Sequence, residues 1–116
     1  MIFNGIRRVF STVNESQYET IGAFWDEMSQ LYGIENLQGL GYNWTDHTID
    51  YVIGSVDSIL PGSNVSVELP DSGWQTVTGF TAQLGLLYNE VYKDGPLLFE
   101  IETFTEDGRC TVRYFR

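Results

Sequence analysis

A change of hydrophobic period close to the N-terminus constrains this chain more than any other feature. Ile21, Phe24, Trp25, Met28, Leu31 and Tyr32 recur at helical spacing, which gathers large apolar side chains on one face of an amphipathic helix. Ser16 followed by Glu19 has the form of a capping box, and Gly33 stands where a left-handed residue would stop the helix. Asp26, Glu27 and Gln30 fall on the opposite, solvated face. The flanking segments follow the other period. Residues 2–13 are rich in apolar and β-branched side chains (Ile6, Val9, Phe10, Thr12, Val13) and predict a strand. Residues 38–44 and 49–56 predict two more strands, joined by Thr45-Asp46-His47-Thr48 in a β-hairpin. Alternation places Leu40, Tyr42 and Trp44 on one face of the first strand and Tyr51 and Ile53 on one face of the second.

The same order returns in the second half. Pro61, Gly62, Pro70 and Gly73 mark a long connection with a short edge segment near residues 65–69. A strand over 74–81 follows, then a weaker helix carried by Leu84, Leu87, Tyr88 and Val91 and diluted by Gly85. Gly95-Pro96 ends that helix before strands over 97–105 and 109–115, which turn at Glu106-Asp107-Gly108. Strand, helix, strand, strand is thus given twice, as a repetition of element order rather than of residue identity. The expectation is one α+β domain over residues 1–116, with an antiparallel sheet and two helices. A chain of 116 residues supports one core and has no room for a second domain of ordinary size.

Charge narrows the function classes. The formal net charge is -10, and after Arg7 and Arg8 no lysine or arginine occurs until Lys93. Nucleic-acid backbones and anionic membrane surfaces are bound through Lys and Arg, so both are disfavoured as partners. A cationic ligand or a basic protein suits the field; so does plain solubility. Cys110 is the only cysteine, which excludes an internal disulfide and makes a reducing cytoplasm the default expectation. Neither a secretory leader nor an apolar run of membrane-spanning length is readable. No Gly-x-Ser-x-Gly, phosphate-binding glycine loop or Cys–His pairing occurs, which argues against nucleophilic and nucleotide chemistry. His47, the sole histidine, lies in the hairpin turn beside Asp46 and Asp50 without a recognised ligand spacing, so neither metal nor cofactor is expected.

Four local runs give the chain a resemblance. They are Ile-Gly-Ala-Phe-Trp at 21–25, Tyr-x-Trp at 42–44, Asp-Tyr-x-Ile-Gly at 50–54 and Phe-Glu-Ile-Glu at 99–102. Together they resemble the gyrase-inhibitor-like (GyrI-like) effector-binding fold, shared with the ligand domains of AraC-type and MerR-type multidrug regulators, and most of all the stand-alone integron-cassette effector-binding proteins. The resemblance implies two strand-helix-strand-strand units about a pseudo-twofold axis, with a ligand cleft between them lined by aromatics and centred on a glutamate. By position that glutamate is Glu100. Where the family carries an aromatic two residues later this chain has Glu102, a second carboxylate on the same strand face. A short second helix interrupted by Gly85 implies a shallower, more open cleft.

Glu100 is the leading candidate. It stands in the apolar run Leu97-Leu98-Phe99-Glu100-Ile101, where a carboxylate needs pairing, exposure or a ligand cation. Alternation permits a water-facing Glu100 with Phe99 and Ile101 turned to the core, and the residues alone favour that reading; the resemblance favours the site. Tyr42, Trp44 and Tyr51 offer ring faces to a cation, and Trp25 joins them from the helical stripe. The leading expectation is a non-catalytic module binding a cationic, partly apolar small molecule. Without DNA-binding helices, any regulatory role needs a protein partner. Two alternatives stand behind it: an acidic module docking onto a basic protein, and a hydrolase of electrophilic small molecules using the paired glutamates.

Overall fold

The computed structural model describes residues 1–116. Seven strands form one antiparallel sheet: β1 (Ile2–Ser11), β2 (Gln38–Tyr42), β3 (Thr48–Ser55), β4 (Val65–Glu68), β5 (Gln75–Phe80), β6 (Phe99–Phe104) and β7 (Arg109–Phe115). Helix α1 (Gln17–Tyr32) connects β1 to β2, and α2 (Leu84–Tyr92) connects β5 to β6. The strands lie in the order β4-β1-β3-β2-β6-β7-β5, so β2 and β6 are central neighbours and the late strands extend the sheet from there. An α+β chain with an antiparallel sheet and two helices is therefore what the alternating periods specified.

The pleat divides the sheet between two cores. On one face Tyr51 and Ile53 of β3 pack with Phe24, Trp25 and Met28 of α1, while Val112 and Tyr114 of β7 pack with Val91 of α2. Register puts Glu100 opposite Tyr114 and Glu102 opposite Val112, so both glutamates belong to this helix-covered face. The other face buries Phe3, Leu40, Tyr42, Val52 and Ile101, with Leu69 and Trp74 of the chain around β4 and β5 packed against it. Burial on both faces explains why β3 reads as a nearly continuous apolar run. No helix is long and apolar enough to cross a membrane.

Several local expectations are corrected. The capping box does not form: Ser16 is already helical (φ -63°, ψ -21°) and makes no side-chain cap. Its hydroxyl instead donates to the Ser11 carbonyl at 3.0 Å, tying the helix start to the end of β1 through the short turn Val13–Glu15. Gly33 does end α1, with φ 80° and its N–H donated to the Ser29 carbonyl at 2.8 Å. Trp44 leaves the face shared by Leu40 and Tyr42, because β2 stops at Tyr42 and Asn43 takes a positive φ of 51°. Alternation holds only while the strand continues.

Candidate functional site

Between the two helices and the sheet lies a cavity of about 590 Å³. Its walls come from α1 (Tyr18, Ile21, Gly22, Trp25, Asp26) and α2 (Leu84, Gly85, Tyr88, Asn89, Tyr92), with Trp44 and Ile49 at the hairpin and Tyr51, Glu100 and Glu102 on the sheet. Side chains of Tyr18 and Tyr88 meet across the helices with ring centroids 6.0 Å apart, and Tyr92 follows Tyr88 at 6.1 Å. No lysine, arginine or histidine lines the space.

Glu100 and Glu102 are both 4% exposed. Tyr92 donates its hydroxyl to Glu100, and Tyr88 donates to Glu102. Tyr51 donates to the other Glu102 oxygen at 3.0 Å and itself accepts from Trp25 Nε1 at 2.9 Å. A chain Trp25–Tyr51–Glu102 thus runs under the cavity, closed on the α2 side by two further phenols. The two carboxyls stand on the same face of β6 and influence each other's ionisation, so their protons are lost as a pair rather than independently. Burial, then the charge of its neighbour, pushes the Glu100 carboxyl well above the usual carboxylate range. Burial also raises Glu102, against the phenol donors that favour its ionised form. The phenols of Tyr51, Tyr88 and Tyr92 are raised by burial and by the adjacent carboxylates, so they remain protonated donors.

A geometric problem had to be solved for Tyr51 to reach Glu102. Tyr51 sits on β3 and Glu102 on β6, with β2 between them, a span of two strand spacings or about 10 Å. Gly39 of β2, paired with Glu102 and flat to the helix-covered face, makes the crossing possible: a Cβ there would run into the Tyr51 hydroxyl and approach Trp25 to 2.8 Å. Gly41, opposite Glu100, is less constrained: a Cβ there would be slightly tight against the end of Ile49 at 3.3 Å and would reach ordinary contact with the Trp44 ring at 3.4 Å.

Comparison with family models, with curated proteins and with solved structures returns no match. The site therefore stands on its own geometry. Of the residues singled out from sequence, Glu100, Glu102, Trp44, Tyr51 and Trp25 all reach the cavity. Tyr42 does not: it is 7% exposed in the opposite core beside Leu40 and Ile101, on the face that alternation assigns to it. Trp25 is both core and wall, buried against Phe104 edge-to-face at 4.9 Å. Sequence reasoning missed Tyr18, Tyr88 and Tyr92 as site residues. In α2 the signal was the spacing Leu84, Tyr88, Tyr92: Leu84 and Tyr88 pack against the cluster that buries Val91, and the same edge of the stripe, continued by Tyr92, lines the cavity. His47 stays in the hairpin loop, and no group of three potential metal-ligating side chains of His, Cys, Asp or Glu occurs.

Proposed function

We propose that this protein is a small-molecule binding module, and that its cavity takes an organic cation with a substantial apolar part. The observation that carries this reading is a buried carboxyl pair at the base of an aromatic cavity with no cationic side chain in its lining. An ionised carboxylate so placed is costly without a counter-charge, and a ligand cation supplies one. Tyr18, Trp44, Tyr88 and Tyr92 add ring faces, each contributing about 0.5–2 kcal/mol to a cation, while the size of the cavity suits a drug-sized ligand. Both oxygens of Glu102 already accept phenols. Glu100, with one oxygen taken by Tyr92, is the carboxylate left to meet the ligand.

The reading extends to the architecture. Strand, helix, strand, strand occurs as β1-α1-β2-β3 and again as β5-α2-β6-β7, and the sheet order runs β1-β3-β2 and then β6-β7-β5, the reverse succession. Cavity positions repeat with it: Ile21, Gly22, Trp25 and Asp26 correspond in spacing to Leu84, Gly85, Tyr88 and Asn89. These features support a duplicated unit about a pseudo-twofold axis with a ligand cleft between the halves, as in the GyrI-like effector-binding proteins that the chain resembles.

Trp25 and Trp44 line the cavity and serve as reporters. Titrating cationic aromatic compounds and their neutral isosteres against tryptophan emission should show the cations binding at least about tenfold tighter, a preference lost in Glu100→Gln. Equal affinity for charged and neutral members of each pair would overturn the reading.

A further inference from the structure

Each helix contains a single glycine, Gly22 inside α1 and Gly85 in the first turn of α2. Glycine is the least favourable helix residue after proline, most of all at an interior position such as Gly22, so its presence in both helices calls for a reason. Packing supplies none here: a Cβ built on either residue meets no heavy atom within 4 Å. The glycines of the sheet behave differently, since a Cβ on Gly39 collides with Tyr51 and Trp25. Both helical glycines line the same cavity, and each stands three residues before a ring of its wall, Trp25 or Tyr88. What the two missing side chains leave open is space inside the cavity.

The geometry points to Gly22 and Gly85 as specificity-determining positions that let a flat ring system lie directly against the helix backbones. This rests on the proposed ligand-binding reading and adds the shape of the ligand to its charge. Carbon atoms in contact sit about 3.5–4.0 Å apart, so a planar ring can approach a backbone at that distance only where no Cβ intervenes. Trp25 and Tyr88, one turn along each helix, then border the ring. A bulky, non-planar cation draws no benefit from the two glycines, because its own thickness keeps it off the backbone. The selected class is a planar aromatic cation.

The test compares proflavine, a flat cation, with acridone, a flat neutral molecule, and tetraphenylphosphonium, a non-planar cation, on the wild-type chain, the double variant Gly22→Ala/Gly85→Ala, and Glu100→Gln. The double variant should melt at or above the wild-type temperature, because alanine favours the helix and meets no clash. It should nonetheless bind proflavine about tenfold or more weakly, with tetraphenylphosphonium, the weaker wild-type ligand, little changed. Unchanged proflavine affinity in a fully folded double variant overturns the proposal, as does wild-type protein that binds neither flat probe or prefers the bulky cation. If acridone binds as well as proflavine and both are lost in the double variant, the glycine assignment stands and the charge reading falls. If Glu100→Gln alone loses proflavine, the reverse holds.

Discussion

The two central strands meet the cavity in opposite ways. β2 presents Gly39 and Gly41 to the helix-covered face, and β6, paired with it, presents Glu102 and Glu100 at the same register positions. One strand supplies buried charge, the other supplies absence. The contrast shows what an unpaired buried carboxylate needs from its surroundings: without Lys or Arg, it must be met by neutral donors, and those donors need room to arrive. On the α2 side the phenols of Tyr88 and Tyr92 descend from the helix. On the α1 side the donor comes from two strands away and must cross β2, which only glycine permits.

Filling the vacancy on β2 should have the largest effect. Gly39→Ala sets a methyl group against the Tyr51 ring and Trp25, and should destabilise the fold by about 3 kcal/mol, the upper range for overpacking rigid side chains. Urea unfolding measures it, with Gly41→Ala as the internal comparison. There the nearest atoms are the end of Ile49 at 3.3 Å and the Trp44 ring at 3.4 Å, so the cost should be smaller; equal costs would break the link between Gly39 and the Tyr51 crossing.

Removing the donor rather than its path should cost somewhat less. Tyr51→Phe leaves Trp25 Nε1 without its partner and takes one hydrogen bond from Glu102, an expected loss of about 2 kcal/mol for buried groups left unsatisfied. If the variant unfolds at the wild-type urea midpoint, water has replaced the hydroxyl and the chain under the cavity has no structural weight.

The buried charge on β6 also gives stability a pH dependence. Glu100 is held above its ordinary value, so between that value and its raised one the folded state binds more protons than the unfolded. Stability of the empty protein must then fall as pH rises through this window, with a limiting slope of about 1.4 kcal/mol per pH unit for one proton. Calorimetry should show a lower Tm at pH 8 than at pH 5, by several degrees for a domain of this size. Glu100→Gln should flatten that dependence and melt above wild type at the higher pH. An unshifted profile in the variant would assign the proton to Glu102 instead.

The smallest effect belongs to the charge pair outside the cavity. Arg8 donates two solvent-exposed hydrogen bonds to Glu27, at 2.9 and 3.0 Å, and lies over the buried Phe24 ring at 4.2 Å. Glu27→Gln should lower Tm slightly at low ionic strength and not at all in about 1 M salt, where screening is nearly complete. A loss that persists in salt would mean that this pair, and not only the cavity network, anchors α1.

The element order, the strong first helix, the hairpin and the placement of Glu100 beside Glu102 on one strand face were all legible in the chain, because they follow from local periodicity and turn chemistry. The sequence also made Tyr51 and Trp25 candidates, though without saying that they touch. Which aromatic faces which side depends on long-range pairing and on where strands end. Tyr42 follows its strand into the opposite core, whereas Trp44, two residues on, escapes through the positive φ of Asn43 into the cavity. Likewise, Tyr88 and Tyr92 become partners of Glu102 and Glu100 only because β6 returns beside β2 beneath both helices. Periodicity assigns a residue to a face of its own element, but pairing between elements is set by sheet order and register, which join residues far apart in the chain and leave no local pattern.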